Sequence, residues 1–186
     1  MPSKGGSRRP PSRTQQRPEA GVIVNGWTVL AHPLFLDAIE RLAGAAEKER
    51  AKKPRGPHGP NTKLLGHILD LAFETIPGNP GDPGFRHGGS LGGGNRHWFR
   101  AKTGGGRYRL FYRFHSSAKI IVLAWVNDEE TLRTYGSKDD AYRVFANMLE
   151  SGNPPGDWNA LLSAGQDPAL KGRLHELFAR RTPPAL

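Results

Sequence analysis

Seven consecutive apolar residues, Ile120-Ile121-Val122-Leu123-Ala124-Trp125-Val126, constrain the fold more tightly than any other part of the chain. The run shows no alternation, is far too short to span a bilayer and is rich in β-branched and aromatic residues. It predicts a central β-strand covered on both sides. Two further strands precede it. Trp98 to Thr103 and Arg107 to His115 flank Gly104-Gly105-Gly106, which supplies the positive φ angles of a hairpin turn. In the second of these, Arg107, Arg109 and Arg113 alternate with Tyr108, Leu110, Tyr112 and Phe114, predicting a buried apolar face and an open arginine face. A turn of two or four residues puts Arg100 and Lys102 on the same face as Arg107 and Arg109, whereas a one-residue slip separates them.

Upstream, Val22 to Ala31 predicts one strand kinked at Asn25-Gly26. Pro33 then opens a helix on which Phe35, Ala38, Ile39, Leu42 and Ala46 share a face, and Asn61 or Thr62 caps a second helix that Pro77-Gly78 stops. Between Asn79 and Asn95 lies a long Gly- and Pro-rich loop that other elements must hold in place. Ser137 and Asp140 resemble a capping box, and Ala141, Val144, Phe145, Met148 and Leu149 mark the core face of a later helix. This order predicts an α+β domain in which a helical hairpin packs on a mainly antiparallel sheet. We divide the chain into a disordered basic tail at 1–20, a domain at 21–152 and a C-terminal helical appendage at 153–186 of unknown docking.

Charge narrows the function. The chain carries a net charge of +10, and the stretch from Pro83 to Asn127 contains no Asp or Glu but eight Lys or Arg. Like charges gathered without carboxylates point to a polyanionic partner, nucleic acid first. The first twenty residues are also basic, and the rest of the chain is about neutral. No cysteine is present, which excludes thiol nucleophiles and Cys-ligated zinc, and no two of the seven histidines lie four apart. The acid-free stretch offers no carboxylates for Mg²⁺, so two-metal chemistry there is disfavoured and no cofactor is expected. Gly88 to Asn95 lacks the GK[ST] ending of a phosphate loop.

Metal-free cleavage of RNA by its own 2′-hydroxyl fits what remains. It needs a proton acceptor, cations for the transition state and a donor for the leaving oxygen. His87, beside Arg86, is a candidate acid or base, or else a structural histidine; Lys102, among Arg100, Arg107 and Arg109, is a second candidate base. Tyr135 and Tyr142 can stack on a base or donate a proton, or serve in the core.

Several strings are also similar to a known family. NGWTVLAHPLF (Asn25 to Phe35), FRHGGSLGGG (Phe85 to Gly94), GRYRLFYRF (Gly106 to Phe114), WVNDEETLRTYG (Trp125 to Gly136) and DAYRVFANML (Asp140 to Leu149) resemble the YhaV family of type II toxin–antitoxin toxins, within the RelE/ParE-like group. The resemblance runs from about Asn25 to Trp158. It implies a RelE-like fold and a bacterial cytoplasmic endoribonuclease that cleaves messenger RNA on translating ribosomes and is neutralised by a PrlF-type antitoxin of the AbrB class. It places Arg100 and Lys102 where a basic pair occurs, Arg109 at the arginine before the next strand's apolar run and Tyr142 at the late tyrosine; with Arg86 and His87 read from the loop itself, the catalytic candidates are Arg86, His87, Lys102, Arg109 and Tyr142. RNA contacts are expected from Arg100, Arg107, Arg113, Arg133 and Tyr135. Two other readings stay open: a noncatalytic nucleic-acid-binding module, and a ParE-like gyrase poison.

Overall fold

A computed structural model describes residues 19–129 and 140–181. The apolar run forms β5 (Ile120–Val126), buried along its whole length, in a five-stranded sheet of order β1-β2-β5-β4-β3. β3 is Phe99–Thr103 and β4 is Tyr108–His115. Only β2 and β5 pair in parallel; the other three pairings are antiparallel, so the α+β architecture with a mainly antiparallel sheet is as expected.

The expected single kinked strand is instead a hairpin of β1 (Val22–Val24) and β2 (Trp27–Ala31). Asn25 and Gly26 both take positive φ, 48° and 79°, which is the two-residue turn that an Asn-Gly pair favours. At the other hairpin Lys102 faces Arg109 and Thr103 faces Tyr108, leaving a four-residue connection. That register keeps Arg100, Lys102 and Arg109 on one face. A side chain at Gly104 would meet the Tyr108 ring at 2.7 Å, so a Cβ is excluded there.

One face of the sheet is covered by α1 (Pro33–Lys52) and α2 (Pro60–Asp70), which continues through a π-helical turn, Leu71–Thr75, to Gly78. Phe35, Ile39, Ile68, Phe73, Leu110, Tyr112 and Leu123 make this core. The helices are capped in two ways, one local and one distant. His32 Nδ1 accepts from Leu34 N–H at the start of α1, and the Glu49 carboxylate accepts from the Asn61 and Thr62 N–H groups at the start of α2. Gly59, rather than Asn61 or Thr62, occupies the cap position.

The arginine-bearing face is not open, and this corrects the sequence expectation. A second core of Trp98, Phe111, Val122, Ala124, Trp125, Tyr142, Phe145 and Leu161 lies on it, covered by α3 (Asp140–Glu150) and α4 (Trp158–Gly165). A bulge between Phe111 and Tyr112 lets Ala124 and Trp125 both join this layer. The last helix, α5 (Lys171–Arg181), returns to the first face, where Leu174 and Leu177 are buried and Arg173, Arg180 and Arg181 pair with carboxylates of α1, α5 and the π-turn. Residues 1–18, the capping box at Ser137 and the side chain of Asp140 lie outside the described residues.

Candidate active site

Four of the singled-out side chains come together where β3 and β4 meet the start of α3. Arg100 Nε donates to the Tyr142 hydroxyl at 2.7 Å, and its Nη1 donates to the Gly84 carbonyl at 2.9 Å. Arg109 holds its guanidinium 4.9 Å from the centre of the Tyr142 ring, a cation–π contact. Lys102, exposed on the edge strand, stands opposite Arg109 in the ladder. Tyr142 is buried against Phe111 edge-on, so its ring is fixed, and its own O–H has no acceptor among the described residues. The tyrosine on the helix thus locks to two arginines on the strands.

Arg109 is buried at 5% exposure, which corrects the expectation of an exposed arginine. Its Nη1 reaches the Arg107 carbonyl only at 3.5 Å, and its Nε is buried without a partner among the described residues. A desolvated cation left one donor short is costly, because burial removes water without restoring the bond. Asn127, which the sequence reading did not single out, completes the arrangement. At 1% exposure, just past the end of β5, its Oδ1 accepts from Arg109 N–H at 2.7 Å and its Nδ2 donates to the Arg107 carbonyl at 3.1 Å. One side chain thereby replaces two ladder bonds and fixes the strand segment that carries both arginines.

The Gly-rich loop wraps the β3 edge. Tyr112 Oη donates to the Pro80 carbonyl at 2.7 Å, Arg100 holds Gly84, and Leu91 is buried in the second core. Burial pushes the Tyr112 hydroxyl far above the ordinary phenol value, with Asp82 adding to the effect. His87 is buried in this loop with both ring nitrogens engaged: Nδ1 accepts from Gly89 N–H at 3.3 Å, which leaves Nε2 to donate to the Asn95 carbonyl at 2.9 Å. Both nitrogens are engaged within the loop, so His87 braces it. Arg86 lies over the Phe99 ring at 4.6 Å and, with Arg96, lines a shallow cavity of about 230 Å³.

Arg107 is exposed at the hairpin, 5.9 Å from the Tyr108 ring centre. Arg113 is drawn away from the cluster: it lies between Trp98 and Trp158, at 5.6 and 5.4 Å, and donates to the Gly156 carbonyl at 2.7 Å. Burial lowers its pKa, with Asp157 opposing. Beside it, desolvation and then the charges of Arg113 and His87 pull the His97 imidazole below its ordinary value. Arg133 and Tyr135 lie outside the described residues. Among the described residues no carboxylate pairs with Arg86, Arg100, Lys102, Arg107, Arg109 or Arg113, and no group of three His, Asp or Glu could hold a metal ion.

Residues 29–166 match the model of a family described as a toxin with endonuclease activity, of a toxin–antitoxin system. The chain belongs to the YhaV toxin family. Relatives agree. The ribonuclease toxin YhaV of Escherichia coli K12 and the toxin YhaV of E. coli O157:H7 are each 49% identical over 140 residues, covering 74% of this chain and 91% of theirs. The expected enzyme class, an endoribonuclease, accords with the family description and with the K12 relative's name. No solved structure matches. The YhaV match takes in every residue of the Arg100–Arg109–Tyr142 cluster and ends before α5. No helix among the described residues is long and apolar enough to cross a membrane.

Proposed function

We propose that this chain is a metal-independent endoribonuclease toxin whose scissile phosphate sits against Arg100, Lys102, Arg109 and Tyr142. The observation that carries the reading is the Arg100–Tyr142–Arg109 contact itself. A phenol hydroxyl and two guanidinium groups converge without a carboxylate, and one of the cations is kept buried short of a hydrogen bond. In the reaction the ribose 2′-oxygen attacks the adjacent phosphorus, the bond to the 5′-oxygen breaks, and a 2′,3′-cyclic phosphate and a 5′-hydroxyl result. Lys102 takes the 2′-hydroxyl proton, Tyr142 gives its proton to the leaving 5′-oxygen, and Arg100 and Arg109 stabilise the added negative charge. Arg86 and Arg107 hold flanking phosphates, and His87 keeps the loop bearing Arg86 in place. The chemistry belongs to residues 21–152, with the C-terminal segment bracing that domain.

The finer expectations join this reading. The substrate is messenger RNA on translating ribosomes in the cytoplasm, and the partner is a PrlF-type antitoxin that covers the cationic cluster with acidic side chains; the family strings and the acid-free stretch support both. Cleavage of purified RNA in excess chelator, with the product ends identified, tests the chemistry. Cyclic phosphate ends are expected. Replacing Lys102 with Arg should keep RNA binding and lower the rate about 100-fold, because a guanidinium holds the charge but cannot accept a proton. Chelator-sensitive cutting, or full activity in the Lys102→Arg protein, would overturn the assignment.

A further inference from the structure

A second positive surface lies away from this cluster, where α1 turns into α2. Lys48, Arg50, Lys52, Lys53, Arg55 and Lys63 project there, all six exposed, and none pairs with a carboxylate among the described residues. The two acids of this stretch are already occupied. Glu47 binds Arg180 at 2.9 Å, and Glu49 accepts from Thr62 N–H and Oγ1–H at 3.1 Å each. Burial would raise the Glu49 pKa, but the hydrogen bonds from Thr62 and Asn61 outweigh it and hold the carboxyl below its ordinary value, so it stays committed to the helix start. Pro54, Pro57 and Pro60 restrict the connecting loop, which keeps the cations on a stiff frame. Beneath them lies a cleft of about 550 Å³ whose lining includes Lys48, Arg50, Lys52, Lys53 and His58.

We propose that this turn is a second RNA-docking surface that grips the phosphate backbone of the substrate beyond the scissile bond. The inference rests on the ribonuclease reading above. Two features choose RNA over an acidic protein or a membrane. A protein partner anchors on buried aromatic or aliphatic side chains, and a membrane surface takes inserted apolar ones, yet the only large hydrophobic exposed among the described residues is Ile23 on β1. Phosphates need charge alone. Position supplies the second feature. The cleft shares Ala45 and Asn61 with a groove also lined by Val126, Asn127 and Asp128, and Asn127 holds Arg107 and Arg109. Through this groove the second positive surface adjoins the end of β5, where Asn127 fixes the strand segment that carries Arg107 and Arg109.

The test is the full-length triple variant Lys48→Gln, Lys52→Gln, Arg55→Gln, compared with wild type on a long single-stranded RNA and on a short one spanning only the scissile bond. The slope of log affinity against log salt for the long RNA should fall by about 0.7 per lost contact, roughly 2 in all. KM for the long RNA should rise about tenfold with kcat unchanged, while the short RNA behaves as in wild type; the corresponding Arg variant of Lys48 and Lys52 should keep the wild-type slope. An unchanged slope and KM would overturn the proposal. So would loss of poly-glutamate binding with RNA binding intact, which would assign the surface to an acidic protein. If wild type cuts neither RNA, the ribonuclease reading fails, while the salt slope still reports on this surface.

Discussion

Arginine is used in two ways on the two sides of this sheet. On the side of α1, α2 and α5 the arginines of the last helix meet carboxylates: Arg173 donates to Asp37 at 2.6 Å and to Glu40 at 2.7 Å, and Arg180 to Glu47 and Glu176. Those hydrogen bonds, from Glu40 first and then Asp37, hold the Arg173 guanidinium above its usual value. On the side of α3 and α4 it meets ring faces and carbonyls instead: Arg109 over Tyr142, Arg113 between Trp98 and Trp158, Arg100 on Gly84 and the Tyr142 hydroxyl. A carboxylate cancels the field of an arginine. A ring or a carbonyl orients the guanidinium and leaves its full charge for a phosphate. The first arrangement suits docking a helix; the second suits holding a polyanion.

Replacing Arg109 strains that contrast most. Arg109→Met keeps an unbranched apolar stem in the layer beside Tyr142 and removes a buried charge whose Nε has no partner. Cleavage should fall by about 100-fold or more. Stability should hold or rise by about 1–3 kcal/mol, since an unsatisfied buried donor is lost together with its charge. Thermal unfolding and a cleavage assay on one preparation check both. A variant that unfolds more easily and still cuts RNA would show that Arg109 is a core cation and nothing more.

Asn127→Ala is next in size. It strands the buried Arg109 N–H and removes the stronger of two donors from the Arg107 carbonyl, which should cost about 1–3 kcal/mol. Because the residue positions the arginines without touching substrate, kcat should drop while KM changes little. Asn127→Asp, which can accept from Arg109 but not donate to Arg107, should fall between wild type and Ala. A rise in KM alone would place Asn127 in binding instead.

The sequence carries the outline of this fold in its strongest signals and hides the parts that depend on distant contacts. The unbroken run at Ile120 to Val126 announces a doubly covered strand, and the glycines at 104–106 announce the hairpin. The alternation in β4 misleads because arginine is counted as a solvent-seeking residue. Phe111 sits among Arg109 and Arg113 on the same face, and Trp98 just before β3 packs there too, which was the available sign of a second core. His87 next to an exposed Arg86 reads as chemistry until the Asn95 carbonyl, eight residues on, accepts a hydrogen bond from its Nε2–H. Asn127 and the Glu49 cap act across 18 and 12 residues, and no local pattern marks either. Arg100, Lys102 and Arg109 were found because charge without carboxylates is a property of composition, and Tyr142 because the chain resembles a family; the burial of Arg109 and Tyr142 is a property of packing.

The smallest effect belongs to the docking side. Arg173→Met removes pairs with Asp37 and Glu40 that are half open to solvent. Partly exposed ion pairs gain modest Coulomb energy against the entropy of ordering long side chains, so the loss should be about 1 kcal/mol or less, with cleavage unchanged. Salt sharpens the comparison. At 1 M ionic strength the screening length is about 3 Å, so the stability gap between wild type and Arg173→Met should nearly close, because most of it is surface attraction. The gap for Arg109→Met should persist, since screening hardly reaches a cation inside the protein. If both gaps close together in salt, the two sides of the sheet hold their arginines by the same means, and the cluster around Tyr142 loses its claim to a separate purpose.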